Sequence, residues 1–568
     1  MQHKVLKVHP NDNVIVALRN LAAGEVITHE GVDYELPYAV AAKHKFVTQS
    51  LATNDPVTMY GVLVGKAKQP IQRGETITTF NLQHDSEPYS TAKRQPYHWT
   101  PPNVQKWQER TFKGYRRQDG KVGTYNYWLV LPLVFCENRN ILILKDAFER
   151  ELGYAQPETY RDQVRELLHL YQNGQTEIIN KLEPFTSPPT PDGGVTLAPP
   201  SGVGGLPSGV GGLRPFSNID GIKFLTHEGG CGGTRHDANT LCALFAAYAV
   251  HPNVAGITVL SLGCQHSEIS TLKKEIHQRS PHFEKPLLIF EQQDGTEYTM
   301  LSQAVKETFL GLIKANQCTR EDVPLSELVV GLKCGGSDGF SGISANPVLG
   351  EVSDILVTLG AKTILAEFPE LHGVEQELLN RCVTEEKAAK FEKLMRDYSG
   401  KAEAVGSAFA FNPSPGNIKD GLITDAIKSA GAAKKGGTAP IQDVTNYTEI
   451  STERGLQLAC TPGNDVEATT GKTAAGATII LFTTGLGTPT GNPICPVMKV
   501  ATNTALAERM PDVIDFNCGT VISGEQTIAQ NADELLELII KIASGEQLTQ
   551  AQRLGQDDFI PWKRGVSL

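Results

Sequence analysis

Six short stretches hold the residues best suited to chemistry. "THEGGCGGTRHDANT" places His227, Cys231, His236 and Asp237 in one loop and helix start. "SLGCQH" brings Cys264 and His266, and "CGGSDGFSG" brings Cys334, Ser337 and Asp338. "EFPELHG" adds Glu367, Glu370 and His372, "PGND" adds Asn464 and Asp465, and "GTPTGN" adds Thr488 and Asn492. Cys518 closes the series. Most of these groups lie just beyond an apolar run that reads as a strand. Thiols and imidazoles recurring at strand ends suit a transition ion of borderline softness, such as iron(II) or zinc. A lone cysteine after a strand is ordinarily a small buried residue, but Cys231, Cys264 and Cys334 all stand beside glycine, which strengthens the case for a shared site. The competing account of the first stretch is a helix N-terminus capped by Thr234 or Asp237. No cysteine pair has zinc-finger spacing. The chain has no GxxxxGK[ST], and "GLGTPTGNP" lacks the GxGxxG spacing.

These loops need a scaffold, and its rhythm is visible. "YWLVLPLVFC", "GIKFLTHEGGCGG", "AGITVLSLGCQH" and "KPLLIFEQQDG" each run a buried strand into a glycine or polar loop, with helical patterns between them. The rhythm resumes with "ELVVGLKCGGSDG", "KTILAEFPELHG", "GATIILFTTGLGTPTGNP" and "PDVIDFNCGT". Such alternation builds parallel sheets, and ligands bind where their strands end in loops. This predicts two α/β domains, at 106–295 and 296–568. Ahead of them, residues 1–85 alternate short apolar runs with glycine turns, a small all-β domain in which "LAAGEVI" and "IQRGETI" echo each other. Residues 86–105 are polar and proline-bearing and read as a linker. An insertion at about 150–217 holds an amphipathic helix and then a Pro/Gly-rich tract that repeats Pro-Ser-Gly-Val-Gly-Gly-Leu. The tract cannot bury a core and reads as an extended or disordered tether.

The net charge of -11 argues against nucleic-acid backbone binding. A local basic pocket for a small acid has two candidates, "AAKHK" (41–45) and "GAAKKGG" (431–437), with solvated lysines the simpler account of the second. Ten cysteines without disulfide-type clustering, and no apolar leader, predict a reduced cytoplasmic protein. His251, Pro252 and Asn253 interrupt the longest apolar stretch, so no membrane span is expected. A homo-oligomer is allowed by the sequence and not dictated by it.

Taken in order, "DNVIVAL", "HKF", "YRRQDGKVGTYNYWLVLPLVFCENR", "THEGGCGG", "HPNVAGITVLSLGC", "CGGSDGFSGISANPVLG", "EFPELHGVEQ", "NPSPGN", "PGNDVEATTG" and "GLGTPTGNP" resemble the altronate/galactarate dehydratase family. The resemblance covers nearly the whole chain outside the insertion and is closest to the altronate branch. It implies a multi-domain α/β protein: a small N-terminal all-β SAF-type β-clip domain plus two α/β domains with mainly parallel sheets. It implies an iron(II)-dependent hydro-lyase, with manganese(II) or another divalent ion as a substitute, converting a sugar acid to a 2-keto-3-deoxy acid. D-altronate giving 2-dehydro-3-deoxy-D-gluconate is the first expectation. The chain departs from the family pattern in its long insertion and in Gln265, which stands where many members carry glutamate.

Dehydration must remove a weakly acidic proton beside a carboxylate, which calls for charge neutralisation, a base and an acid for the departing hydroxyl. On that reading His227, Cys231, Cys264 and Cys334 are the expected metal ligands. His44, Lys45, His227, Asp338 and His372 are the expected catalytic groups, and Ser337, Asn346, Glu367, Asn464, Asp465 and Thr488 the expected substrate contacts. His9 and His84 read as surface residues. The alternatives are a galactarate dehydratase or sulfo-lyase of the same family, or a sugar-acid-binding protein without turnover.

Overall fold

The computed structural model describes residues 3–182 and 214–565. The repeated Pro/Gly tract of the insertion lies outside them. Inside them the insertion forms the helix Thr159–Gln172 and the short turn of helix Thr176–Ile179. No helix among the described residues is long and apolar enough to cross a membrane.

The first domain consists of small antiparallel sheets joined by tight turns. The echoed phrases are a repeated turn: Glu25 accepts the Ala22 N–H and Glu75 accepts the Gln72 N–H. One part of its core, around Ile15, Leu36 and Phe46, closes on itself, and the other part does not. Val14, Val47, Tyr60 and Val64 share one buried cluster with Phe340, Ile343, Leu422 and Ile427 of the third domain. Residues 86–105 are a strap across that domain, because Ser90 and Thr91 donate to Gln376 and Glu392, and Arg94 donates to the carbonyls of Leu379 and Cys382.

The second domain has a four-stranded parallel sheet in the order Gly221–Phe224, Tyr127–Pro132, Val254–Ser261, Leu287–Glu291. The helix Glu297–Ala315 packs on its last two strands. A boundary near residue 295 would strip this helix from the sheet its apolar face covers, so the second domain extends through it. The antiparallel ribbon of Thr111–Arg116 with Glu321–Pro324 then ties the entrance of the second domain to that of the third.

The third domain has seven parallel strands in the order Ile441–Thr445, Gly455–Ala459, Lys362–Ala366, Val329–Cys334, Ile479–Thr484, Val497–Ala501, Phe516–Asn517. The chain starts mid-sheet at Val329–Cys334, winds out to one side, and returns to Ile479–Thr484 to wind out to the other. The neighbours Val329–Cys334 and Ile479–Thr484 therefore flank a reversal of winding, where loops diverge and leave a crevice. The second domain has the same feature between Tyr127–Pro132 and Val254–Ser261.

Candidate active site

The crevice of the third domain is bordered by Gly335–Ser344 and the loop after Thr484. Only small residues let its walls close. A Cβ on Gly485 would lie 2.3 Å from Cγ of Asp338, one on Gly339 would lie 2.6 Å from the Lys43 carbonyl oxygen, and one on Gly342 would lie 2.3 Å from the Tyr60 hydroxyl. Much of the glycine in this loop thus admits the first domain, whose residues 41–45 sit against it.

That contact is charged. Lys43, held at a φ of 75°, reaches Oδ2 of buried Asp338 at 3.0 Å and Oδ1 of Asp420 at 3.4 Å. Asp338 also accepts from Ser341 Oγ and the Phe340 N–H, which fixes its carboxylate. Lys45 is fully buried and donates to the Gly421 carbonyl at 2.7 Å. Burial lowers its ammonium to about 7, a shift that Asp338 opposes and Lys43 reinforces. Near neutrality Lys45 can therefore act as a neutral amine. His44 points Nε2 at the Lys419 carbonyl, 3.0 Å away, and burial lowers its pKa.

Beside this contact lies a nest of four buried lysines, of which sequence reasoning pointed only to Lys435, within "GAAKKGG". Glu367, left-handed at a φ of 68°, turns the chain just past Lys362–Ala366 and aims its carboxylate at Lys333, Lys435 and Lys472. Lys428 pairs with Glu370 at 3.1 Å, and Lys333 also meets Asp465 at 2.9 Å. Cys334 Sγ donates to Glu370 and accepts from Lys435 Nζ at 3.0 Å. Burial pushes the Cys334 thiol up to about 11, whereas Glu370 is held at about 2 because Lys428 and its fellow lysines outweigh its burial. Burial lowers Lys472 to about 8, with Glu367 opposing. "GAAKKGG" is thus not a solvated run: Lys435 has no exposed surface.

A third group lies where the end of the first domain meets the third. His84 and His372 face each other with ring centroids 5.3 Å apart, beside buried Asp425. Asp425 has no hydrogen-bond partner on either carboxylate oxygen, and burial pushes it up to about 8. His84 is therefore not a free surface residue.

The expected metal ligands do not gather. His227 is used locally, with Nε2 2.8 Å from the Pro132 carbonyl and Nδ1 accepting from the Gly229 N–H, which leaves no ring nitrogen for an ion or a proton relay. Cys231 and Cys264 are exposed, and neither belongs to a set of three close donors among the described residues. Cys334 does approach Glu367 and Glu370, but four ammonium groups surround that set and repel a cation.

The expected substrate contacts divide as well. Asp338, Asp465 and Thr488 stand around Gly335–Gly339, where a Cβ on Gly335 would meet Asp465 Oδ1 and one on Gly336 would meet Thr488 Oγ1. Ser337 lies in the same loop, its carbonyl held by Asn417. Glu367 is occupied by lysines. Asn346 spends its amide on the Gly431 carbonyl and the Thr483 hydroxyl, and Asn464 caps the helix Asp465–Ala474. His372 is fixed by Glu375.

A separate cavity of about 630 Å³ opens beside the second sheet. His227, Cys231, His266 and Glu467 are among its lining residues, and the tail residues Phe559 and Trp562 wall it. Thr234 does cap the helix Arg235–Val250, and Asp237 receives the backbone N–H groups of Arg564 and Gly565 from that tail.

Comparison with known proteins bears on all three domains. Residues 3–85 match the altronate/galactarate dehydratase SAF domain. Residues 114–316 match the second domain of D-galactarate dehydratase/altronate hydrolase, and residues 325–567 match the C-terminal domain of D-galactarate/altronate dehydratase. The altronate dehydratase of Bacillus subtilis is 33% identical over 566 residues, 99% of each chain. The altronate dehydratase of Escherichia coli is 29% identical, again over 99% of each chain. The galactarate dehydratase (L-threo-forming) of Escherichia coli is 29% identical over 97% of this chain and 94% of its own. With its three domains matched in order and its whole length shared with such relatives, the chain belongs to the altronate/galactarate dehydratase family.

Proposed function

We propose that this protein is a hydro-lyase that dehydrates a sugar acid, with D-altronate as substrate and 2-dehydro-3-deoxy-D-gluconate as product. One structural observation carries the reading. Lys43 of the first domain pairs with Asp338 in the winding-reversal crevice of the third, with Lys45 close enough to feel the same carboxylate, in a chain that matches named dehydratases from end to end.

The reaction takes a proton from C2, the carbon bearing the carboxylate, where it is weakly acidic because the neighbouring group is already charged. The C3–O bond breaks, the 3-hydroxyl leaves with a proton as water, and the resulting enol becomes the 2-keto acid. Lys45, with about half of its amine unprotonated at pH 7, is the base. Its cost of protonation is met by Asp338, whose charge favours the ammonium that forms. Lys43 holds Asp338 in place and adds positive charge where the substrate carboxylate gathers negative charge. Ser337, Asp465 and Thr488, around the glycine loop, offer polar contacts to the sugar hydroxyls. Lys333 of the lysine nest orients Asp465. Iron(II), when bound, would draw charge from the substrate carboxylate and the adjacent hydroxyl.

The test is an anaerobic assay of the full-length protein with iron(II) against a panel of aldonic and aldaric acids, reading the 2-keto product. D-altronate should give the highest kcat/KM. Preference for galactarate would reassign the substrate, and no keto product with any acid would favour binding without turnover.

A further inference from the structure

We propose that His84, His372 and Asp425 form a binding site for one divalent transition-metal ion, joining the first domain to the third. One donor atom from each lies within 4.8 Å of the other two, and Asp425 is buried with neither carboxylate oxygen hydrogen-bonded. A buried carboxylate without partners is costly, and an ion would supply what the protein does not. Two imidazoles and one carboxylate are a donor set suited to iron(II) and its neighbours, and three protein ligands leave coordination positions open.

The surroundings are built to support ligation. His372 Nδ1 lies 2.9 Å from Glu375 Oε1, while the other oxygen of Glu375 accepts the Gly373 N–H at 2.6 Å. This carboxylate is buried and fixes the ring through Nδ1, which leaves Nε2 of His372 for a ligand, in the manner of carboxylate–histidine–metal arrangements. His84 accepts the Ala426 N–H through Nδ1 at 3.4 Å, a weak bond that leaves its other nitrogen available. Lys428, three residues on from Asp425, is committed to Glu370. The contrast with Cys334, Glu367 and Glu370 is chemical: there every carboxylate is already neutralised by lysine.

His84 follows the last strand of the first domain, Leu82–Gln83, whereas His372 and Asp425 belong to the third. The ion would thus be held only when the first domain is docked. Its role in the reaction rests on the dehydratase reading, but its existence does not.

The test strips the full-length protein with chelator, reloads it anaerobically with iron(II) or cobalt(II), and measures bound metal per chain. Wild type should hold one ion, and His84→Ala and Asp425→Asn should lose it. The double variant Cys231→Ser/Cys264→Ser should keep it, and the cobalt form should show no thiolate charge-transfer absorption. If the alanine variants fail to fold, Glu375→Gln serves instead, with metal affinity about 10–100-fold weaker. An ion retained in His84→Ala/His372→Ala, a thiolate band, or no ion in wild type would overturn the site. A loaded protein that dehydrates no acid would sink the dehydratase reading and leave the metal site standing.

Discussion

The two parallel sheets share a topology and differ in what fills the crevice at their winding reversal. In the second domain the crevice stays open, and its cavity is walled by an aromatic tail with a histidine and an exposed thiol among its lining. In the third it is closed around lysines and carboxylates and receives charged residues from another domain. The lesson is that topology chooses where a site can be, whereas charge decides what it can hold. A thiol and an imidazole near an opening look like a metal site, yet the ring of His227 is spent on backbone. A thiol among four ammonium groups looks buried and inert, yet it bridges Glu370 and Lys435.

Substitutions in the two crevices should therefore differ sharply. The largest expected effect is on catalysis: Lys45→Met should lower kcat by about 10²–10⁴-fold. In the wild type kcat/KM should rise with pH through about 7 as the Lys45 amine loses its proton, and steady-state rates across pH should show that limb vanish in the variant. Next is Glu367→Gln, which leaves Lys333, Lys435 and Lys472 without their shared counter-charge. Urea unfolding should show a loss of about 3–5 kcal/mol. Gly342→Ala drives a methyl into the Tyr60 hydroxyl and should cost about 1–3 kcal/mol, read as a lower unfolding midpoint and faster proteolysis between the first domain and the rest. Smallest is Cys231→Ser, which should move stability by no more than about 0.5 kcal/mol and leave turnover unchanged.

The same contrast explains what could be read from the sequence. Apolar runs such as "YWLVLPL" and "TIILFTT" announce buried strands, and the loops after them announce chemistry. The strands Ile441–Thr445, Gly455–Ala459 and Val497–Ala501 escape notice because Asp443, Gln457 and Lys499 break their apolar pattern while lying buried. The lysine nest is hidden for a related reason. A lysine is solvated by default, and only the convergence of four elements on Glu367 and Glu370 makes Lys333, Lys428, Lys435 and Lys472 a unit. His84 depends on a partner in another domain, about 290 residues further on, so no local pattern reveals it. The "HKF" and "CGGSDGFSG" stretches were legible separately, but their meeting is a fact of docking.

The most direct measurement is a side-by-side kcat for Lys45→Met and Cys231→Ser on the acid that the panel identifies. The account predicts that the first variant is nearly inactive while folded and the second matches wild type. An active Lys45→Met enzyme beside an inactive Cys231→Ser enzyme would move the reaction to the cavity of the second domain and contradict it.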